Sequence, residues 1–417
     1  MKILHTSDWH IGRNLFTKKR YGEFEAFLDW LCSIIDQQRA DALVIAGDIF
    51  DTGTPGNRAQ SLYYRFLCRI ASLSCRHVIV VGGNHDSPSF LNAPRELLRE
   101  LNVHVVGCCC EKPEDEVVVL FDREGKPEAI VCTVPYLRDK DVRTVETGES
   151  ADQKNLRMVE GVRDHYHQVC LSAEMKRKSL ESTGGEKIPI IATGHLFIAG
   201  GKTIDGDGVR DLYVGSLAHL GSDILPGCVD YYALGHLHVP QIVGKKDHIR
   251  YCGSPLPMGF GEAKQQKLVL CVDFASGTPS IKEIAVPSFQ KLQKVRGDLN
   301  TILTGLDQLV AAAESVWVEV EYIGDEIVTN LRESVENIVE GSPVEVLRII
   351  NRQITDRIID RSHEHETLEE LDPLVVFERC LLANEIAESE ICSLKSCYTD
   401  ILRTILEDES REEGDGR

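Results

Sequence analysis

No stretch of this 417-residue chain approaches the roughly 18 consecutive apolar residues that a membrane-spanning helix needs. Nor does a secretory apolar segment precede the strand-like opening Met1-Lys2-Ile3-Leu4. The 14 cysteines include no Cys-x-x-Cys pair, and three of them form the adjacent triplet Cys108-Cys109-Cys110, where neighbours seldom reach bridge geometry. Reduced thiols in a soluble cytoplasmic protein are therefore expected, in preference to a disulfide scaffold or to zinc or redox chemistry. A complete phosphate-binding loop is missing as well. Gly201-Lys202-Thr203 has the tail of one, but Leu196 stands where the leading glycine belongs, so nucleotide hydrolysis by this chain is not expected. Asp205-Gly206-Asp207-Gly208 lacks the continuation of a calcium-binding loop and reads as a turn.

Positive charge is also scarce, with 46 Lys and Arg against 66 Asp and Glu and a net charge of -20. Phosphate-binding proteins normally carry a basic footprint, so this balance argues at first against a nucleic-acid partner. The excess is concentrated, however. Residues 356–417 hold about 18 acids and 7 bases, roughly -11, so the rest of the chain is only mildly acidic, and carboxylates among it would be neutralised by bound cations.

What is present is a recurrence. Five short apolar runs each stop at residues able to bind metal: 2–5 before Asp8 and His10, 42–46 before Asp48, 78–81 before Asn84 and His85, 188–192 before His195, and 231–234 before His236 and His238. Such runs read as buried strands, and ligands in α/β proteins gather beyond the carboxyl ends of strands. In an extended segment the i, i+2 spacing of Asp8 with His10, and of His236 with His238, puts each pair on one face. His165/His167 and His363/His365 share that spacing without an apolar run before them and read as solvated surface. Two carboxylates, one amide and four histidines with no thiolate suit Mn²⁺, Fe²⁺ or Zn²⁺, and seven ligands suit two ions sharing Asp48. Two such ions clamp a phosphate ester and activate water, so phosphoester hydrolysis follows. His85, next to Asn84 but directed to the other side of the backbone, is the candidate catalytic group; Asp51 is a candidate orienting residue.

Strands alternate with helical stretches such as 21–38 and 59–72 up to about residue 285, the pattern of an α/β domain. Residues 111–125 look like a hairpin with 117–121 as one strand, and 152–183 read as a polar helix. Near Pro287 the pattern restarts as strand (291–295), helix (299–312), strand (316–322), helix (326–339) and strand (344–350). The expected organisation is thus 1–285, a small α+β unit at 286–352, and a helical segment at 353–417. In the last of these, Ile391, Leu394, Tyr398, Ile401 and Ile405 form a stripe suited to docking on a partner helix or to packing on the chain's own domain.

The blocks Asp8-x-His10, Gly47-Asp48-x-x-Asp51, Gly83-Asn84-His85-Asp86, Gly194-His195 and Gly235-His236-x-His238 occur in this order and resemble the motifs of the calcineurin-like metallophosphoesterase superfamily. Ser7-Asp8-Trp9-His10-Ile11-Gly12-Arg13 and Tyr251-Cys252-Gly253-Ser254-Pro255-Leu256-Pro257-Met258 look like those of its nuclease subunits in DNA double-strand-break repair. The resemblance implies a four-layer α/β/β/α core, a capping domain that helps admit DNA, and carboxy-terminal helices docking on a coiled-coil ATPase. It implies one Mn²⁺ on Asp8, His10, Asp48 and His238, a second on Asp48, Asn84, His195 and His236, and His85 as catalytic histidine. It further implies ATP-stimulated 3′→5′ double-strand exonuclease and single-strand endonuclease activity on DNA ends and hairpins, and a homodimer within a heterotetramer. A phosphatase or cyclic-nucleotide phosphodiesterase on the same core is the competing reading.

Overall fold

The computed structural model describes residues 1–143, 150–181, 187–198, 221–275, 277–324 and 330–352, with isolated positions at 326, 328, 381, 394–395 and 398. They fall into two compact units, Met1–Gln293 and Lys294–Arg417. In the first, β1 (Lys2–Thr6), β2 (Ala42–Ala46), β3 (His77–Val81) and β4 (Val103–Val106) run parallel in one sheet. The second sheet contains β5 (Val117–Phe121), β6 (Pro127–Cys132), β7 (Ile190–His195), β8 (Tyr231–Gly235), β9 (Gln241–Val243) and β10 (Lys246–Tyr251), of which β6, β7, β8 and β10 are parallel. Strand β11 (Leu268–Asp273) returns antiparallel beside β1, and β12 (Ser280–Ala285) pairs antiparallel with β11, completing the first sheet at six strands.

The continuous apolar runs are explained by burial on both faces. Within β2, Leu43 and Ile45 pack under helices while Ala42 and Val44 join Ile3, Ile79, Val131, Ile191 and Ala233 in a core between the sheets. Helix α1 (Tyr21–Gln38) buries Phe24, Phe27, Leu31 and Ile35, and α2 (Asn57–Ile70) buries Leu62, Phe66 and Leu67, against the first sheet. Helix α3 (Ala151–Glu181) lays Val162, Tyr166, Val169 and Cys170 on the second. The result is four layers, α/β/β/α. At full burial, side chains of this size contribute about 1.5–3 kcal/mol each.

One expected element is placed differently. Strand β5 forms its hairpin with β6, across a turn in which Asp122 Oδ1 accepts from the backbone N–H groups of Glu124 and Lys126. Residues Pro113–Glu116 form a 3₁₀ turn instead of the first arm. The hairpin extends beyond residue 125 because Asp122, which can cap its own turn, supplies the reversal after β5 and the second arm is β6.

The chain enters the second unit within β13 (Lys291–Gly297), followed by α4 (Leu299–Ala311), β14 (Val316–Tyr322), α5 (Leu331–Val339) and β15 (Val344–Asn351). The strands form one sheet in the order β13, β14, β15. Ile302, Leu306, Leu331 and Val335 from the helices cover Val316, Val318, Val320 and Val344. Asp298 caps α4 by accepting from Thr301 N at 2.8 Å. Among the described residues no helix is long and apolar enough to cross a membrane.

Candidate metal centre

All five apolar runs are strands, and they belong to both sheets: β1, β2 and β3 to the first, β7 and β8 to the second. Their carboxyl ends meet because the sheets stack with these strands adjacent. The loop after β1 is pinned by Trp9, fully buried between Phe27 and Phe66 at ring distances of 5.8 and 5.3 Å, with its indole N–H donating to Thr6 Oγ1 at 2.9 Å. This loop also runs alongside the one after β2: Asp8 N donates to Gly47 O and His10 N to Asp48 O, both at 3.0 Å.

The backbone that presents the ligands is not extended. Asp8, His10, Asp48 and His236 all have positive φ, between 49° and 99°. The two spaced pairs therefore do converge, but through left-handed turns past the strand ends, not through strand alternation. Gly47, at φ 91°, and Gly83 are required by close approach: a Cβ on Gly47 would overlap the His195 ring, and one on Gly83 the Asp48 carboxylate.

Polar atoms converge densely in the space so formed. His195 Nε2 lies 3.1 Å from Asp48 Oδ2 and 3.0 Å from Asn84 Oδ1, which His236 Nδ1 also approaches at 3.1 Å. His10 Nε2 and His238 Nε2 face each other at 3.2 Å, with Asp48 Oδ2 3.6 Å from the former. Two sets of three donor atoms, Asp8 with His10 and His238, and Asp8 with Asp48 and His195, each fall within 4.8 Å of one another. Asn84 Nδ2 is buried and has no hydrogen-bond partner among the described residues, so the amide is oriented by its oxygen. Facing imidazole nitrogens and an amide oxygen shared by two rings are an arrangement that cations complete, and the donor set fits hard-to-borderline divalent ions.

Electrostatics agree. Burial alone would raise the Asp48 carboxyl, but His195, with His10 and His85, holds it well below the usual carboxylate range. His195 is pushed up to about 9: burial works against its charge and is outweighed by Asp48 and Asp8. His236 is lowered to about 3 by burial and by the neighbouring His195 charge. The cavity is anionic around Asp48, and protons occupy places that cations would otherwise take.

A family model described as calcineurin-like phosphoesterase matches residues 1–240, and one described as type 5 capsule protein repressor C-terminal domain matches 288–385. The chain belongs to the calcineurin-like phosphoesterase family. Proteins named as the D subunit of the nuclease SbcCD are similar along most of its length: that of Escherichia coli (strain K12) is 37% identical over 97% of this chain and 98% of its own. The Bacillus subtilis (strain 168) protein is 32% identical over 77% and 78%, and the Rhodobacter capsulatus protein 31% over 85% and 87%. This phosphoesterase is thus a metal-dependent enzyme of the SbcD nuclease group.

Around the phosphoesterase centre stand groups with assigned and unassigned parts. His85 N donates to Asp48 Oδ1 at 2.8 Å, its Nδ1 lies 2.8 Å from the Asp51 carbonyl, and its ring is 4.7 Å from that of His10. Asp51 also brings Oδ1 within 3.4 Å of His10 Nδ1 and 3.2 Å of Arg13 Nη1. Asp86 had received no role. It is buried and accepts from the N–H groups of Ile49, Phe50 and Gly83 at 2.9–3.1 Å, tying the loop after β3 to that after β2. Its place directly after His85 was the signal available.

Lys267 and Glu262 were also missed. Both are buried and form an ion pair behind His238, whose carbonyl accepts from Lys267 Nζ at 3.1 Å and whose Nδ1 lies 3.9 Å from Glu262 Oε1. Nothing in the polar stretch 262–267 distinguishes this lysine from a surface one. His165 is a correction: it is mostly buried and paired with buried Glu116 at 2.9 Å, whereas His167 is exposed. A helical histidine needs no apolar run before it to meet a partner from another segment. His363/His365 and residues 201–208 lie outside the described residues.

Proposed function

We propose that this chain is the nuclease subunit of an SbcCD-type complex and hydrolyses DNA phosphodiesters with two divalent ions. One observation carries the reading: seven carboxylate, amide and imidazole side chains able to bind metal converge from both sheets, with His85 at their margin. In this proposal Asp8, His10, Asp48 and His238 hold one ion and Asp48, Asn84, His195 and His236 the other; the oxygen and imidazole donors suit Mn²⁺, Fe²⁺ or Zn²⁺, and the family resemblance favours Mn²⁺. Bound there, the ions supply a nucleophile at neutral pH and positive charge against the developing oxyanions.

The protein's own residues do the rest. Asp48, common to both proposed ion positions, would balance the charge of the two cations. His85 donates Nδ1–H to the Asp51 carbonyl, which fixes the ring; in its doubly protonated form Nε2–H gives its proton to the leaving alkoxide as the P–O bond breaks, leaving the neutral Nδ1–H tautomer. Asp51, beside both His10 and His85, positions the two rings relative to each other.

The relatives' name, which places them in a two-component SbcCD nuclease, indicates a partner protein, here taken as an SbcC-type coiled-coil ATPase. The chain has no complete phosphate-binding loop, so ATP stimulation comes from that partner. Residues 286–352 would cap the site, and 353–417 would dock on the partner. Of the stripe Ile391, Leu394, Tyr398, Ile401 and Ile405, only Leu394 and Tyr398 are among the described residues. The proposed substrates are DNA ends and hairpins, cleaved by 3′→5′ double-strand exonuclease and single-strand endonuclease action in the cytoplasm, by a homodimer within a heterotetramer. Mn²⁺-dependent digestion of linear duplex DNA, run beside phosphomonoester and cyclic-nucleotide hydrolysis, tests the substrate class. Release of nucleotides from duplex ends is expected, and turnover of the small esters alone would overturn the proposal.

A further inference from the structure

The cysteine triplet and His165 meet away from the phosphoesterase centre. The 3₁₀ turn Pro113–Glu116 directs Glu116 inward, where its side chain is fully buried and accepts from Cys110 N at 2.7 Å. Helix α3 brings His165 onto it, with Nε2 2.9 Å from Glu116 Oε2 and Nδ1 3.8 Å from Cys109 Sγ. A thiol sulfur, a ring nitrogen and a carboxylate oxygen therefore lie within 4.8 Å of one another.

We propose that Cys109, Glu116 and His165 form a second metal site, for one zinc-class divalent ion held through a thiolate. Donors about 2.0–2.3 Å from a shared ion at tetrahedral angles sit roughly 3.3–3.7 Å apart, and one donor atom from each of the three residues already lies within 4.8 Å of the others. His165 Nδ1 faces the sulfur at 3.8 Å while Nε2 makes the 2.9 Å contact to Glu116, so a small turn of the ring lets one nitrogen serve a common ion. Sulfur, nitrogen and oxygen ligands together select a softer ion than the oxygen- and imidazole-lined centre around Asp48. A cleft of about 520 Å³ lined by Cys108, Cys109 and Cys110 opens beside the sulfur, which leaves room for water in the fourth position.

The charge environment supports this. Glu116 and Asp141 place negative charge around the Cys109 sulfur, which a bound cation would balance. On binding, one proton leaves Cys109 for solvent and the His165–Glu116 hydrogen bond is exchanged for metal ligation. The ion would fasten the turn before β5 to α3, at the edge of the second sheet.

Cobalt(II) titration of the full chain, freed of metal, tests the site, because a cobalt–thiolate bond gives a near-ultraviolet charge-transfer absorption that nitrogen and oxygen ligands do not. The wild type should develop this band with an intensity equal to one cobalt–thiolate centre per chain by the time the two ions of the phosphoesterase centre are also bound. Asp48→Asn should keep the band, since the phosphoesterase centre does not contribute to it. Cys109→Ser should abolish it, and His165→Gln should weaken cobalt binding there at least tenfold, with zinc displacing cobalt in the wild type. The wild-type titration requires no substitution, so a misfolded variant cannot mask the answer. No band in the wild type, or a band that survives Cys109→Ser, would overturn the proposal.

Discussion

His195 Nε2 stands 3.1 Å from Asp48 Oδ2, so the end of β7 in the second sheet is paired with the end of β2 in the first. Each group fixes the charge of the other: Asp48 stays ionised and His195 is pushed up to about 9. In the metal-free protein this pair stabilises the fold fully below the ordinary histidine value of about 6.5, and the contribution fades as pH rises through about 9. Melting of chelator-treated protein should therefore shift to lower temperature across that interval. Metal affinity should rise over the same interval as cations replace the proton. Isothermal titrations at several pH values check this, and a pH-independent affinity would show that metal binding displaces no proton from His195.

Gly83→Ala should damage the centre without unfolding the core. The added Cβ meets the Asp48 carboxylate and Asp48 N, which cannot retreat without breaking the loop pairing to His10. Metal affinity should fall at least tenfold, measured by titration, while the far-ultraviolet spectrum stays that of the wild type. Unaltered metal binding would mean that the Asp48 loop yields more readily than its hydrogen bonds suggest.

Lys267→Met should strand the buried Glu262 carboxylate behind His238. Removing one member of a buried ion pair costs about 3–5 kcal/mol, and the double variant Lys267→Met with Glu262→Gln should recover much of that loss. Urea denaturation of the wild type and the two variants measures both numbers. If the single and double variants were equally destabilised, packing and not charge would be the role of Lys267.

Much of this candidate site was legible in the sequence because each proposed ligand follows a strand. A strand buried on both faces reads as a short apolar run, so the runs before Asp8, Asp48, Asn84, His195 and His236 pointed to side chains that the fold brings together. What could not be read was backbone conformation. The positive φ at Asp8, His10, Asp48 and His236 replaces the extended geometry that the i, i+2 spacing suggested. Long-range partners were equally hidden. Asp86 is defined by backbone N–H groups up to 37 residues away, Lys267 by a carbonyl at His238, and His165 by Glu116, 49 residues before it. The β5–β6 hairpin was misplaced by a few residues because acidic and glycine-containing stretches occur on both sides of β5, and only the pairing shows which one turns.

In the proposed mechanism His85 acts on the substrate and not on the metals. The rate of Mn²⁺-dependent duplex digestion by His85→Ala, with bound manganese counted in the same preparation, tests this. Two manganese equivalents should be retained and the rate should fall by about 10²–10⁴-fold, the usual contribution of a positioned acid or base. Digestion at the wild-type rate with both ions bound would contradict it.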